Sequence, residues 1–120
     1  MKKIEAIIKP FKLGGVKDAL YCIGIQGITV TEVGGFGRQK GHVELYCGAE
    51  YDMAFVPKAK IEAVVSETMV EKVIRTIQQQ AGTGKPGDGK IFVSALPEAA
   101  MVRASEKSDA AVQGSKNALT

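Results

Sequence analysis

The sequence predicts an α+β fold in which two β-α-β units follow one another along a single domain. The first observation is an internal repeat, because Lys3-Ile4-Glu5-Ala6 recurs 57 residues later as Lys60-Ile61-Glu62-Ala63. The second is a pair of apolar stripes with a helical period, which match at the same shift. The stripes pair Leu13 with Val70, Val16 with Val73 and Leu20 with Ile77.

The first half is predicted to run strand, helix, strand. Lys3–Ile8 forms the first strand, and Pro10 closes it. The helix spans Leu13 to Ile23 and ends at Gly24, since glycine is the usual residue just past a helix end. Its inward stripe is Leu13, Val16, Leu20 and Ile23. Ile28–Val33 alternates β-branched residues and is predicted to be the second strand.

The second half repeats this order. Ile61–Val65 is a strand, and Ser66 is the predicted N-cap of a helix that continues through Gln80. Lys90–Ser94 is the last strand. The predicted buried residues of this helix are Val70, Val73, Ile74 and Ile77. The complete β-α-β-β-α-β order is ferredoxin-like, with an antiparallel sheet and both helices on one of its faces. We expect oligomerisation to cover the other face.

Gly37–Phe55 joins the two halves and is much longer than a hairpin requires. Connections of this length are uncommon unless they are functional or disordered. Because function concentrates on loops, a binding loop is favoured over a flexible insertion. The domain is predicted to span residues 1–112, followed by a disordered tail at 113–120.

Composition narrows the class of protein. The chain has 120 residues, of which 45% are hydrophobic and 24% charged, as expected of one globular domain. The net charge is only +3, and its Lys and Arg are interspersed with acids, so no nucleic-acid partner is expected. The apolar run after the N-terminal charges is too short for a signal peptide and contains Glu5. The expected compartment is the cytoplasm, where Cys22 and Cys47 are free thiols.

Thr83–Lys90 is glycine-rich and matches the spacing G-x-x-x-x-G-K. Glycine lets backbone N–H groups approach phosphate oxygens, and Lys90 adds a positive charge. Ile91 stands where a P-loop has the Ser or Thr that holds Mg²⁺, and a strand follows where a P-loop has a helix. A P-loop hydrolase is therefore not expected, and a plain glycine-rich turn is the alternative.

A second glycine run, Gly34-Gly35-Phe36-Gly37-Arg38, ends the second predicted strand. In a ferredoxin-like sheet this run and Thr83–Lys90 converge near the opening of the long loop. Two glycine-rich segments that carry cations and meet at one place favour an anionic ligand.

These segments resemble the PII signal-transduction proteins over positions 1–112. The resemblance rests on five motifs that together are highly specific. They are Met1–Leu13, Val30–Val33 with Gly35–Gly41, Gly48-Ala49-Glu50-Tyr51, Thr83-Gly84-Lys85 and Gly87–Val93.

The chain shows no nucleophile–base pair and has one histidine, so no catalytic residues are expected. The resemblance implies a regulatory homotrimer that binds ATP or ADP between subunits. The nucleotide contacts it implies are Thr29, Gly35, Phe36, Gly37, Arg38, Gln39, Val64, Gly87, Asp88, Gly89, Lys90 and Arg103. It also implies that Gln39 helps hold Mg²⁺, which 2-oxoglutarate then chelates. The implied 2-oxoglutarate contacts are Gln39, Lys40, Gly41, Lys58 and Gly87.

The resemblance further implies that target proteins bind the loop at 37–55. These targets include an ammonium channel, a uridylyltransferase or a metabolic enzyme, so a membrane is reached only through a transporter. Tyr51 matches the tyrosine that is uridylylated in some members, and an ordinary loop tyrosine is the alternative.

Two departures leave alternatives open. Cys47 stands where the family commonly has a channel-entering arginine, and Met101 stands where it has a phosphate-binding arginine. A PII-like adenine-nucleotide sensor with another effector or target is the main alternative, and a slow ATPase and a metal-tolerance trimer are weaker ones. A metal site at His42 and Cys47, with Glu44 and Glu50 nearby, is disfavoured. A lone His and Cys on a loop more often bind no metal, and structural zinc sites use four protein ligands.

Overall fold

The computed structural model describes residues 1–38, 44–46, 49–51 and 53–103. Three-residue 3₁₀ turns, Pro10–Lys12 and Glu67–Met69, precede the two α-helices. Along the described chain the elements are β1 Lys2–Ile8, α1 Leu13–Cys22, β2 Thr29–Arg38, β3 Glu44–Tyr46, β4 Ala49–Tyr51, β5 Met53–Val65, α2 Val70–Ala81 and β6 Gly89–Ala95. Neither α-helix in the described part of the chain is long and apolar enough to cross a membrane.

The main sheet has four strands in the order β2-β5-β1-β6, and every neighbouring pair is antiparallel. This arrangement confirms the ferredoxin-like prediction. The internal repeat lies at the centre of the sheet, where Ile4 pairs with Ala63 and Ala6 pairs with Ile61. The two halves are therefore related by an approximate two-fold axis that passes between Glu5 and Glu62, which also pair.

The core lies between the two helices and one face of this sheet. Each helix contributes a matching buried pair, Val16 and Leu20 from α1 and Val73 and Ile77 from α2. Fully burying an aliphatic side chain of this size contributes about 1.5–3 kcal/mol. The predicted stripes are confirmed at these positions, while Leu13, Ile23 and Val70 are partly buried at the edge of the core. Ile74 is half-buried.

The two helix ends that the sequence predicted behave differently. Gly24 has φ +96°, and its N–H donates to Tyr21 O while Ile25 N–H donates to Leu20 O. This pair of bonds is the Schellman motif, so the predicted stop is confirmed. Ser66 takes an N-cap position, but that of the 3₁₀ turn Glu67–Met69, whereas the N-cap of α2 itself is Met69. A 3₁₀ turn intervenes before α2, and the Ser66 hydroxyl lies 3.1 Å from Thr68 Oγ1 and makes no capping bond.

The strands beside the long loop extend further than predicted. β2 continues five residues past Val33 to Arg38, and β5 begins eight residues before Ile61, at Met53. Backbone pairing runs along this ribbon to the pair Arg38–Met53. The prediction of a loop at Gly37–Phe55 is therefore wrong at its ends. Glycine has low strand propensity, but continuous pairing with the partner strand overrides it here.

The face of the sheet opposite the helices carries an ion-pair network. Lys3 Nζ lies 3.3 Å from a Glu5 oxygen and 2.9 Å from a Glu62 oxygen, and Lys60 Nζ lies 3.8 Å from Glu62. Like charges that pair directly across strands are destabilising, so Lys3 offsets the Glu5–Glu62 repulsion. Hydrogen bonding to Lys3 lowers the pKa of Glu62, and the same bond raises the pKa of Lys3. Phe92 is exposed on this face.

A candidate anion site at the loop between α2 and β6

Three glycines in the loop that follows α2, or at the start of β6, have a positive φ. Gly84, Gly87 and Gly89 have φ values of +79°, +91° and +115°. Residues with a Cβ rarely adopt a positive φ of this size, whereas glycine adopts it without strain. The result is a turn with few side chains over its backbone, which is the kind of surface that can approach an oxyanion closely.

Asp88 holds this turn together. Its Oδ2 accepts the backbone N–H groups of Thr83 at 2.8 Å and Gly84 at 2.9 Å, and its Oδ1 accepts the Thr83 hydroxyl. The hydrogen bond from the Thr83 hydroxyl, followed by that from the Thr83 N–H, holds the pKa of Asp88 well below its usual range. The carboxylate is therefore ionised across the whole physiological pH range.

Two lysines reach the loop from the two central strands of the sheet. Lys9, just past the end of β1, places its Nζ 3.2 Å from Asp88 Oδ1 and donates to Thr83 Oγ1 at 3.3 Å. Lys58, on β5, donates to the carbonyl oxygen of Gly87. Lys85 and Lys90 lie in and beside the same loop. Among the described residues, these four lysines outnumber the Asp88 carboxylate in and beside the loop, and this excess of positive charge suits an anionic ligand.

Gly89 requires a different explanation from the other loop glycines. A Cβ at this position would lie 1.7 Å from the Ile7 carbonyl oxygen. Gly89 pairs with Ile8 where β6 begins, so the close approach of β6 to β1 accounts for the glycine here. Its role as a ligand contact stays a prediction.

The glycine run that ends β2 lies at the same end of the sheet as this loop. Val33 pairs with Lys58, and Gly34 and Gly35 follow beside Pro57 and Val56. Lys58 thus lies beside the start of this glycine run and contacts Gly87 through its side chain. Convergence of the whole run on the loop stays a prediction.

The structure does not bring all the predicted nucleotide contacts together. Thr29 pairs with Glu62, and Val64 lies two residues further along β5. Val64 is six residues from Lys58 on that strand, which at ~3.3 Å per residue separates them by about 20 Å. Within one subunit, Thr29 and Val64 therefore lie at the opposite end of the sheet from Gly87 and Lys58.

The remaining predicted residues occupy three kinds of place. Phe36, Gly37 and Arg38 lie in β2, and Tyr51 lies in β4. Met101 is half-buried and Arg103 is exposed, both beyond β6. Several predictions lie outside the described residues, namely those for Gln39, Lys40, Gly41, His42, Cys47 and the tail at 113–120. Within the described residues, no group of three His, Cys, Asp or Glu side chains is placed to hold a metal ion.

Lys9 and Thr83 were not among the predicted site residues. The signal for Thr83 was available, because Thr83 and Asp88 bracket the glycines of a single turn. The signal for Lys9 was weaker. It lies between the end of the first strand and Pro10, and only the sheet topology places it beside the distant loop.

Comparison with known proteins shows one consistent relationship. Residues 1–106 match the family described as nitrogen regulatory protein P-II. A nitrogen regulatory protein P-II of Rhodospirillum rubrum is 62% identical over 112 residues, which cover 93% of this chain and 100% of that protein. One from Azospirillum brasilense is 61% identical with the same coverage. Nitrogen regulatory protein P-II 1 of Escherichia coli K12 is 58% identical over 112 residues, again 93% and 100% of the two chains.

Proposed function

The chain belongs to the nitrogen regulatory protein P-II family and is a nitrogen-regulatory signal transducer rather than an enzyme, and we propose that it works as a homotrimer that senses ATP or ADP together with 2-oxoglutarate. The observation that carries this proposal is the glycine-rich loop at 83–88, which has lysines in and around it. Lys9, just past β1, and Lys58, on β5, reach this loop, and Gly84 and Gly87 carry no side chains over its backbone.

The separation of the predicted contacts supports a site between subunits. A nucleotide whose phosphates bind Gly87 is proposed to place its adenine at Thr29 and Val64 of another chain, because within one chain Val64 lies about 20 Å along β5 from Lys58, which contacts Gly87. A second copy that presents its own Thr29 end to the loop of the first completes the site. The ion-paired sheet face with exposed Phe92 is the surface proposed to meet the other copies.

The proposed nucleotide site combines backbone and cationic contacts. In one subunit, Gly35–Arg38 and Gly87–Lys90 surround the phosphates, together with Arg103. In the neighbouring subunit, Thr29 and Val64 contact the adenine. Gln39 is proposed to hold Mg²⁺ with the phosphates, since a side-chain amide offers the oxygen that this ion prefers.

The proposed 2-oxoglutarate site adjoins the nucleotide site. Lys58 and Gly87 are already in contact at this corner, and Gln39, Lys40 and Gly41 complete the set. A dicarboxylate would exchange the neutral carbonyl of Gly87 for an ionised partner of Lys58, which forms a stronger hydrogen bond. Bound Mg²⁺ would supply a bridge between this ligand and the nucleotide.

Target proteins are proposed to bind the segment at 37–55, in which Tyr51 is the candidate for modification. An ammonium channel, a uridylyltransferase and a metabolic enzyme are the classes considered, all reached from the cytoplasm. Cys47 and Met101 favour a second candidate, a sensor of adenine nucleotides with a different effector or target. No binding of nucleic acid is proposed.

Calorimetry with ATP and with ADP in Mg²⁺, each with and without 2-oxoglutarate, tests the function. We expect one nucleotide per subunit, and 2-oxoglutarate binding only when Mg-nucleotide is present. Absence of any 2-oxoglutarate heat would favour the second candidate. Light scattering on the same samples should give the mass of three chains, and a monomeric mass with nucleotide still bound would contradict the shared site.

Met101→Arg is predicted to raise the affinity for ATP by about one to two decades, because a hydrogen bond from arginine to a phosphate contributes ~1.5–3 kcal/mol. If the new contact reaches the terminal phosphate, ADP affinity rises less. Calorimetry on both variants measures the two gains, and Met101→Leu controls for packing. Equal gains for ATP and ADP, or none, would contradict a role for Met101 in weakening terminal-phosphate recognition.

A further inference from the structure

We infer that Asp88 is a positioning residue, which with Thr83 and Lys9 holds the loop at 83–88 in its binding shape before any ligand arrives. This inference rests on the proposed nucleotide site and changes the part that Asp88 plays in it. The resemblance implied a residue in contact with nucleotide, whereas the geometry indicates a residue that acts through the loop.

The first argument is that the Asp88 carboxylate is fully used within the protein. A carboxylate has two oxygens with about four acceptor positions. Oδ2 accepts two backbone N–H groups at 2.8 and 2.9 Å, and Oδ1 accepts the Thr83 hydroxyl and faces Lys9 Nζ at 3.2 Å. Four donors occupy the four positions. Little acceptor capacity remains for a metal ion or a ligand hydroxyl.

The second argument is electrostatic. A bare carboxylate beside a polyphosphate would repel it, and a lysine committed to a carboxylate adds no net charge. Lys9 and Asp88 form such a neutral pair, with side chains 22% and 25% exposed. Lys58, by contrast, has a neutral partner beside the turn, because its ammonium group donates to the Gly87 carbonyl. Lys9 therefore helps to hold the shape of the loop, whereas Lys58 is available to bind an anion.

The third argument concerns the loop itself. Gly84 and Gly87 give the turn its shape but also give it many other conformations once it is not held. Ordering such a segment during binding lowers affinity, and a segment that is already ordered avoids that loss. The Thr83 hydroxyl closes the network, because it donates to Asp88 and accepts from Lys9 and from the Lys85 N–H at 3.3 Å.

The test uses the full-length protein with Asp88→Asn, Asp88→Ala and Thr83→Val. Asp18→Asn, on the exposed face of α1, is the matched control for loss of a carboxylate. We expect Asp88→Asn to weaken ATP and ADP by the same factor, about tenfold, with and without Mg²⁺. Thr83→Val should weaken both in the same direction. The double variant should be no weaker than Asp88→Asn alone, because the two residues act in one network.

Amide hydrogen exchange on the ligand-free protein gives an independent readout. The N–H groups of Thr83 and Gly84 should exchange about tenfold faster in Asp88→Ala than in the wild type, while those of β1 and α2 are unchanged. Unchanged exchange at these two amides, or an affinity loss confined to Mg²⁺, would overturn the inference in favour of direct contact. If the wild type binds no nucleotide the proposed function fails, and the exchange result alone then decides whether Asp88 shapes the loop.

Discussion

Lys58→Met should weaken 2-oxoglutarate binding by about ten- to a hundredfold, measured by calorimetry at saturating Mg-ATP. A hydrogen bond between a lysine and a carboxylate contributes ~1.5–3 kcal/mol, and each 1.4 kcal/mol corresponds to about a tenfold change in affinity. Methionine keeps most of the length and apolar stem of lysine, so the change isolates the ammonium group. Affinity for ATP alone should change much less, because before ligand binds the ammonium group donates to the neutral carbonyl of Gly87.

Lys60→Met is the matched control for this prediction. Lys60 lies two residues along the same strand and points to the same face, but its Nζ is 3.8 Å from Glu62 rather than at the loop. Removing it lowers the charge of the sheet face by the same amount. If both variants weakened 2-oxoglutarate equally, the effect of Lys58 would be long-range attraction rather than contact. Undiminished binding in Lys58→Met would remove this residue from the proposed site.

The fold was predictable because short-range and long-range signals agree in this chain. The repeat at Lys3 and Lys60 identifies two equivalent halves, and the matched stripes put Val16 and Val73 in the core. Gly24 terminates α1 by local geometry alone. The extended ribbon of β2 and β5 was not predictable in the same way. Its Gly34–Gly37 portion has little strand preference, and its pairing depends on a partner strand that is distant in sequence.

The sequence indicated which residue types form the anion site, but not which of them contact one another. The glycines and lysines of Thr83–Lys90 indicate an anion site by their chemistry. The distinction between Gly87, which lies beside two lysine side chains, and Gly89, which lies against the Ile7 carbonyl, requires the backbone of β1. In the same way, the pairing of Asp88 with Lys9 joins residues that are 79 positions apart in the chain. No local pattern carries that information.

Gly89→Ala should destabilise the protein by about 2–4 kcal/mol and lower its melting temperature by on the order of 10 °C. Two costs add at this residue. The backbone at φ +115° is strained for any residue with a Cβ, and that Cβ would lie 1.7 Å from the Ile7 carbonyl oxygen. The oxygen belongs to the backbone of a central strand, so β6 must move away from β1. Thermal unfolding followed by circular dichroism measures the loss.

Substitutions at two other glycines distinguish the cost of backbone strain from the cost of the clash with Ile7. Gly84→Ala has the same kind of strain, at φ +79°, but its Cβ would meet nothing within 4 Å, so a loss of about 1 kcal/mol is expected. Gly14→Ala lies within α1 and also meets nothing within 4 Å, so it should stabilise the protein by up to about 1 kcal/mol. Equal losses at Gly89 and Gly84 would mean that backbone strain alone explains both glycines. A larger loss at Gly89 would identify the contact with Ile7 as the reason that β6, and with it the start of the anion site, requires glycine.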